Sequence, residues 1–273
     1  MRRALLGICV ALVVAAAAGC GGGSSDAPTT TVRQLRQFRI LFPEGFTREQ
    51  MAARAQAVSK IAESESHRKV KLSGISYAAI TAKPRHIPGF GAKKLPLEGF
   101  LFPDTYDFDR KTTSAQLVNV QLQEFAAKWK TLDLSYAKSK NLTSYDVLTI
   151  ASMIEKEAVA PADRPKVARV IYNRLHLGMT LGIDATIRYA LHIPGTKSLT
   201  QSDLANPTPY NTRLHAGLPP TPIANPGLAS MEAAAHPASG PWLYFVAEPD
   251  KVHTFFTASA QAFEHYKATH GYG

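Results

Sequence analysis

The seventeen residues from Thr143 to Val159 constrain the fold more than any other part of the chain. Thr143-Ser144-Tyr145-Asp146 has the form of a capping box, and Val147, Leu148, Ile150, Ala151, Ile154 and Ala158 then recur at helical spacing. Such a face requires a helix packed into a core. At about 100° per residue, Glu155 projects between Ala151 and Leu148, inside the apolar sector, whereas Lys156 points away. Apolar surroundings disfavour a carboxylate and raise its pKa, so Glu155 is a candidate general acid. Glu157 lies about 200° further round, near Ile150, so one unbroken helix does not aim both acids into a single site. The alternative for either acid is an ion pair with Arg164, Arg169 or Arg174.

The helical period recurs over Ser114–Leu132, Asp163–Leu177 and Asp184–Leu191, so the middle of the chain is helical. Before it come an apolar strand-like run, Phe38 to Phe42, a turn at Pro43-Glu44-Gly45, and a helix from Thr47 carrying Met51, Ala52, Ala55 and Val58. Residues 75–108 are rich in proline and glycine and read as an irregular, aromatic-rich linker. Six prolines fall between Pro207 and Pro226, which makes that stretch extended and turning. A helix at Leu228–Ala235, strands at Trp242–Val246 and His253–Phe256, and a helix near Ala258–Lys267 close the chain. The fold class is α+β: a small α/β unit at 37–108, then a mainly helical domain at 109–273 with a β-hairpin and proline-rich loops.

The N-terminus reads as an address. Arg2 and Arg3 precede an apolar run, Ala4 to Ala18, too short to span a bilayer and suited to a signal peptide over residues 1–19. The run ends in Ala17-Ala18-Gly19-Cys20, which resembles a bacterial lipobox with Cys20 as the lipidated residue. Residues 20–36 then form a flexible tether. This places the protein at the outer face of the cytoplasmic membrane, held by a lipid anchor. Cys9 and Cys20 are the only cysteines, which excludes a disulfide framework or cysteine-ligated zinc. The net charge of +10, lowered to +8 when the leader takes away Arg2 and Arg3, is dispersed rather than clustered. That pattern argues against a nucleic-acid partner and fits attraction to anionic wall polymers and lipids. His236, His253 and His265 match no compact ligand spacing, so neither metal nor cofactor is expected.

The strings Ala151-Ser152-Met153-Ile154-Glu155-Lys156-Glu157 and Lys166-Val167-Ala168-Arg169-Val170-Ile171-Tyr172-Asn173-Arg174-Leu175 resemble the signature of the YceG-like (MltG) endolytic murein transglycosylases. Further blocks agree: Leu97-Glu98-Gly99, Asp184-Ala185-Thr186, Tyr210-Asn211-Thr212, Gly217-Leu218-Pro219-Pro220, Asn225-Pro226-Gly227 and Ala235-His236-Pro237. The resemblance covers roughly residues 38–267. It implies cleavage of peptidoglycan glycan strands between N-acetylmuramic acid and N-acetylglucosamine to leave 1,6-anhydromuramic ends. It also implies a limit on nascent strand length, set beside the peptidoglycan synthases. The first glutamate of the family's Glu-Lys-Glu string is its acid/base, which maps onto Glu155.

The proline-rich loop offers Tyr210, Asn211 and Thr212 as substrate-binding groups, with Asp184, Glu157 and Glu98 as further candidates. Each has a plainer reading: Asp184 as a helix N-cap, Asn211 as a turn residue, Glu98 as a structural acid closing the cleft. Against the family pattern, Gly182 replaces a glutamine and Arg213 a tyrosine, and only Ile40 to about Val58 matches the family's LysM-like unit. Two other functions therefore compete: a catalytically weak wall-binding lipoprotein, and a hydrolytic muramidase with Glu157 or Asp184 as second carboxylate.

Overall fold

Strand β1 (Phe38–Leu41) leads through the Pro43–Gly45 turn into helix α1 (Arg48–Ser66). Thr47 caps α1 reciprocally: its hydroxyl accepts the Gln50 N–H, and the Gln50 side chain accepts the Thr47 N–H. Helix α2 (Gly74–Thr81) crosses α1 at Gly74, where a Cβ would lie 2.4 Å from the Ala52 carbonyl oxygen, so only glycine permits the approach. A short hairpin, β2 (Arg85–His86) with β3 (Lys94–Leu95), follows, and β4 (Thr105–Phe108) returns antiparallel to β1 with Ile40 opposite Tyr106. The computed structural model describes residues 36–250 and 252–271. The expected leader, Cys20 and nearly all of the tether lie outside them.

The stretch expected as an irregular linker is core. Leu97, Phe100 and Leu101 are fully buried, and the Phe100 ring packs edge-on against Phe90 and Phe125 at 4.8 and 5.1 Å. Proline and glycine bend this segment, but its aromatic payload is buried all the same. Then come α3 (Ser114–Lys130), α4 (Ser135–Ser139), α5 (Ser144–Glu157), a 3-10 turn at Pro161–Asp163, α6 (Arg164–His176) and α7 (Asp184–Ala190). The long loop holds one short helix, α8 (Gln201–Leu204), before α9 (Leu228–Ala235). A hairpin of β5 (Tyr244–Ala247) and β6 (Thr254–Thr257) and helix α10 (Ala260–Thr269) end the described chain. Among the described residues no helix is long and apolar enough to cross a membrane.

Helix α5 is the centre of the molecule. All eight residues from Val147 to Ile154 are buried, so it is enclosed on every side rather than along one stripe. It packs against α6, α7 and α9, where Ser230 and the run Ala233-Ala234-Ala235 supply small, buried contact residues. The packing of α2 on α3 joins residues 37–108 to the remainder, and Leu35–Gly273 forms one unit. The division expected at residue 108 is therefore not a boundary between separate bodies.

Candidate functional site

Glu155 lies in the last turn of α5, half-buried where the enclosed part of the helix ends. Beside it runs Ile223–Gly227, which is pinned at three points. The Ile223 N–H donates to Ser152 Oγ (3.0 Å), one turn before Glu155 on α5. Asn225, fully buried, uses all of its side chain: Nδ2 donates to the Phe46 carbonyl (2.9 Å) and to Glu98 Oε1 (2.9 Å), while Oδ1 accepts the Leu101 N–H (2.9 Å). Its backbone also exchanges bonds with the turn, accepting the Gly45 N–H and donating to Phe46. Finally the Gly227 N–H, at the start of α9, donates to Glu155 Oε2 at 3.0 Å. The opposite oxygen, Oε1, has no hydrogen-bond partner among the described residues.

The Pro43–Gly45 turn closes over the same place. Lys156 Nζ donates to the Gly45 carbonyl (3.3 Å), and Gly45 adopts φ +74°, in the left-handed region that favours glycine. A Cβ at Gly227 would lie 1.8 Å from Glu44 Oε1, so the Glu44 carboxyl occupies the space a side chain there would need. The φ of Gly227 is an ordinary −75°; glycine is required for room, not for conformation. Partial burial holds the Glu44 carboxyl above the usual range, and the neighbouring Glu155 charge adds to this against the opposing effect of Arg164.

Glu157, at the very end of α5, faces the other way, towards α7. Burial, then the Asp184 charge, push its carboxyl up to about 7, opposed by the Ala185 N–H and by Arg188 and Arg213. The two acids of the Glu-Lys-Glu string thus serve different surroundings, as the helical projection required. A cavity of about 470 Å³ between the β2–β3 hairpin and α3, walled by Phe90, Phe125 and Trp129, contains no acid.

A model of the YceG-like family matches residues 24–269. This chain belongs to the YceG-like family. Over 180 residues it is 40% identical to the endolytic murein transglycosylase of Bacillus subtilis (strain 168), covering 66% of this chain and 49% of that one. It is 37% identical to the enzyme of the same name from Streptococcus pneumoniae (strain ATCC BAA-255 / R6), covering 64% and 32%. The chain therefore spans about half the length of the first relative and a third of the second. The crystal structure of a YceG-like protein from Listeria monocytogenes is similar with a TM-score of 0.65 at 32% identity, covering 84% of this chain and 75% of that one.

In this YceG-like chain several candidates hold the site together rather than face a substrate. Asn211 is fully buried, with Nδ2 donating to the Leu204 and Asn206 carbonyls and Oδ1 accepting the Arg213 N–H, the bonding of a turn residue. Thr212 is buried as well, bonded to the Ile183 N–H and to Thr186 Oγ1. Glu98, 2% exposed, accepts from the Arg48 N–H, Asn225 and Tyr189, which leaves nothing for a sugar. Asp184 is not an N-cap: Ile183 holds that position, and Arg213 grips Asp184 Oδ1 through Nε and Nη2 at 2.7 Å each. Tyr210 is partly exposed, with its hydroxyl paired to Thr221 Oγ1 (2.8 Å) and its ring 5.3 Å from Tyr189.

The Glu155 carboxyl is half-buried and takes a backbone N–H. Among the described residues no arginine holds either acid in an ion pair: Arg169 donates to the Ala238 carbonyl and Arg174 to that of Leu243. Glu44 and Asn225 escaped the sequence reading as parts of the site. Neither sits in a periodic element, and only the Pro-Glu-Gly and Asn-Pro-Gly blocks could have drawn attention to them.

Proposed function

We propose that this chain is an endolytic murein transglycosylase, cutting peptidoglycan glycan strands between N-acetylmuramic acid and N-acetylglucosamine and leaving 1,6-anhydromuramic ends. The observation that carries this reading is Glu155, an acid at the edge of a buried helix with one oxygen fixed by a backbone N–H and, among the described residues, no ion-pair partner and no hydrogen bond to the other oxygen. The names of the Bacillus and Streptococcus relatives support it. Protonated Glu155 donates to the glycosidic oxygen as its bond to the muramic C1 breaks. The resulting carboxylate then accepts the proton of the C6 hydroxyl, whose oxygen bonds to C1. No water is consumed and the carboxyl ends as it began, so one acid suffices where a hydrolase needs two.

The test is mass spectrometry of digested glycan strands. The wild type yields anhydro-ended fragments, and Glu155→Gln lowers the rate by at least about 100-fold. A variant that keeps more than about a tenth of the activity overturns the assignment. Reducing ends instead of anhydro ends would make the protein a muramidase, for which Glu44 rather than Glu157 or Asp184 is the neighbouring carboxylate. We also infer that the β1–α1–α2–β4 unit, in which antiparallel strands bracket two helices, is the reduced LysM-like module. Export, lipidation at Cys20, a position at the outer face of the cytoplasmic membrane and work beside synthases rest on residues 1–36 and on the family resemblance.

A further inference from the structure

The chain's positive charge, dispersed overall, has one uninterrupted stretch: residues 66–97 hold seven lysines and arginines and no acid. At its centre the β2–β3 hairpin covers the cavity of about 470 Å³ that opens against α3. The hairpin turn sets Phe90 between two left-handed glycines, Gly89 (φ +84°) and Gly91 (φ +90°). The Phe90 ring then packs on Phe125 (5.8 Å) and Trp129 (4.9 Å), and these rings wall the cavity. Its ionisable lining groups are Arg85, His86 and Lys130, all basic. His86, Ala126 and Lys130 are exposed, so the mouth faces solvent. Lys83, Lys93 and Lys94 are exposed beside it, and the one acid of α3, Glu124, pairs with Lys128 (3.2 Å).

A cavity of this size lies in the range of ligand sites, roughly 300–1,000 Å³, and an apolar wall open to water is stabilised by an apolar occupant. Phenylalanine, leucine and proline walls give a sugar little to hydrogen-bond with, and a second copy presenting the same face would meet like charge. We propose that the cavity is a docking site for an anionic membrane lipid: one acyl chain enters between the hairpin and α3, and the headgroup phosphate meets Arg85, His86 and Lys130 at the mouth. Lys83, Lys93 and Lys94 add attraction to neighbouring headgroups. Arg85 donates through Nη1 to Asn119 Oδ1 (3.0 Å), which steadies its guanidinium against α3 and leaves other N–H groups for phosphate. This site goes beyond the proposed anchor at Cys20 and depends on neither that anchor nor the role of Glu155. Phe90 meets Phe100, and Phe100 stacks on Tyr145 at the start of α5. Glu155 lies ten residues further on, about 15 Å along the helix, so a bilayer seated at the hairpin leaves the acid at the far end of α5.

The experiment is binding to vesicles of phosphatidylglycerol mixed with phosphatidylcholine, their acyl chains brominated so that they quench nearby tryptophan. The unlipidated chain from residue 20, carrying Cys20→Ser, retains the whole Leu35–Gly273 unit. Trp129 and Trp242 are the only tryptophans, so Trp242→Phe and Trp129→Phe leave one reporter each. Trp129 should be quenched and Trp242 should not. A basic residue near an anionic surface counts about fivefold in affinity, so reversing two charges with Lys93→Glu and Lys94→Glu should weaken binding by at least about 20-fold. Ala126→Phe, which fills the mouth from an exposed position, should abolish the quenching of Trp129. Circular dichroism confirms that each variant is folded. Equal binding to pure phosphatidylcholine, or charge reversals without effect, overturns the proposal. So does binding that leaves Trp129 unquenched, which reduces the face to surface attraction. Glycan strands that displace the vesicles from Trp129 overturn it as well, since the cavity would then be a sugar site.

Discussion

The most deeply buried acid near the site is not the proposed catalyst. Glu98 is enclosed and pushed up to about 7 from its usual 4.5 by burial, against the lowering effect of its Arg48 and Tyr189 hydrogen bonds. A carboxyl raised in the folded state binds its proton more tightly there than in the unfolded chain. Its contribution is therefore fully present below about pH 4.5 and is lost as pH climbs towards 7. Urea midpoints for the wild type should fall across that interval. Glu98→Gln should flatten the fall, because a carboxamide keeps an acceptor for the Arg48 and Asn225 donors and can donate to the Tyr189 hydroxyl. An undiminished slope in the variant would assign the pH dependence to another group, with Glu157 next in order. Arg213 brings two guanidinium nitrogens to one Asp184 oxygen, so the residue at this position supplies a partner for that acid.

Among the elements, the segment Ile223–Gly227 matters as much as the helices on either side. It has no regular pairing, yet Asn225 links the Gly45–Phe46 turn, Glu98 and the Leu101 backbone through one buried carboxamide. Asn225→Ala would strand the Leu101 N–H without an acceptor and remove two donors, a loss of about 2–4 kcal/mol in chemical denaturation. Cleavage should fall with it, since the same residue seats the turn that carries Glu44; a variant as stable as wild type would refute the hub. Sequence periodicity located α3, α5, α6, α7 and α9 well because each buries apolar residues at 3.6-residue spacing. It failed for α2 and for residues 97–106, where the decisive factors were a glycine crossing and buried aromatics among turn-forming residues. Asn211 misled for a related reason: a polar residue in a proline-rich loop looks available, but its amide is consumed by the loop itself.

At the scale of the whole molecule, residues 37–108 supply one wall of the core in which α5 lies. Phe90 and Phe100 pack on Phe125, and Phe100 stacks on Tyr145 at the start of α5. A fragment spanning 109–273 would expose that wall, so it should show no cooperative thermal transition and weak near-ultraviolet circular dichroism; a sharp melt would restore the two-domain division. The same long-range closure explains why Glu155 was legible in the sequence and the rest of the site was not. Glu155 announces itself within one helix, but Phe46 and Asn225, which bring Glu44 to it, bond across 179 positions of chain.

That closure ties cutting power to completeness. Glu155 gains its backbone donor from Gly227 and its acidic neighbour from the turn at 44, so a partly assembled chain carries the glutamate without its setting. The proposed cutting of glycan strands would thus be withheld from an unfinished polypeptide until residues 44 and 227 had met beside Glu155.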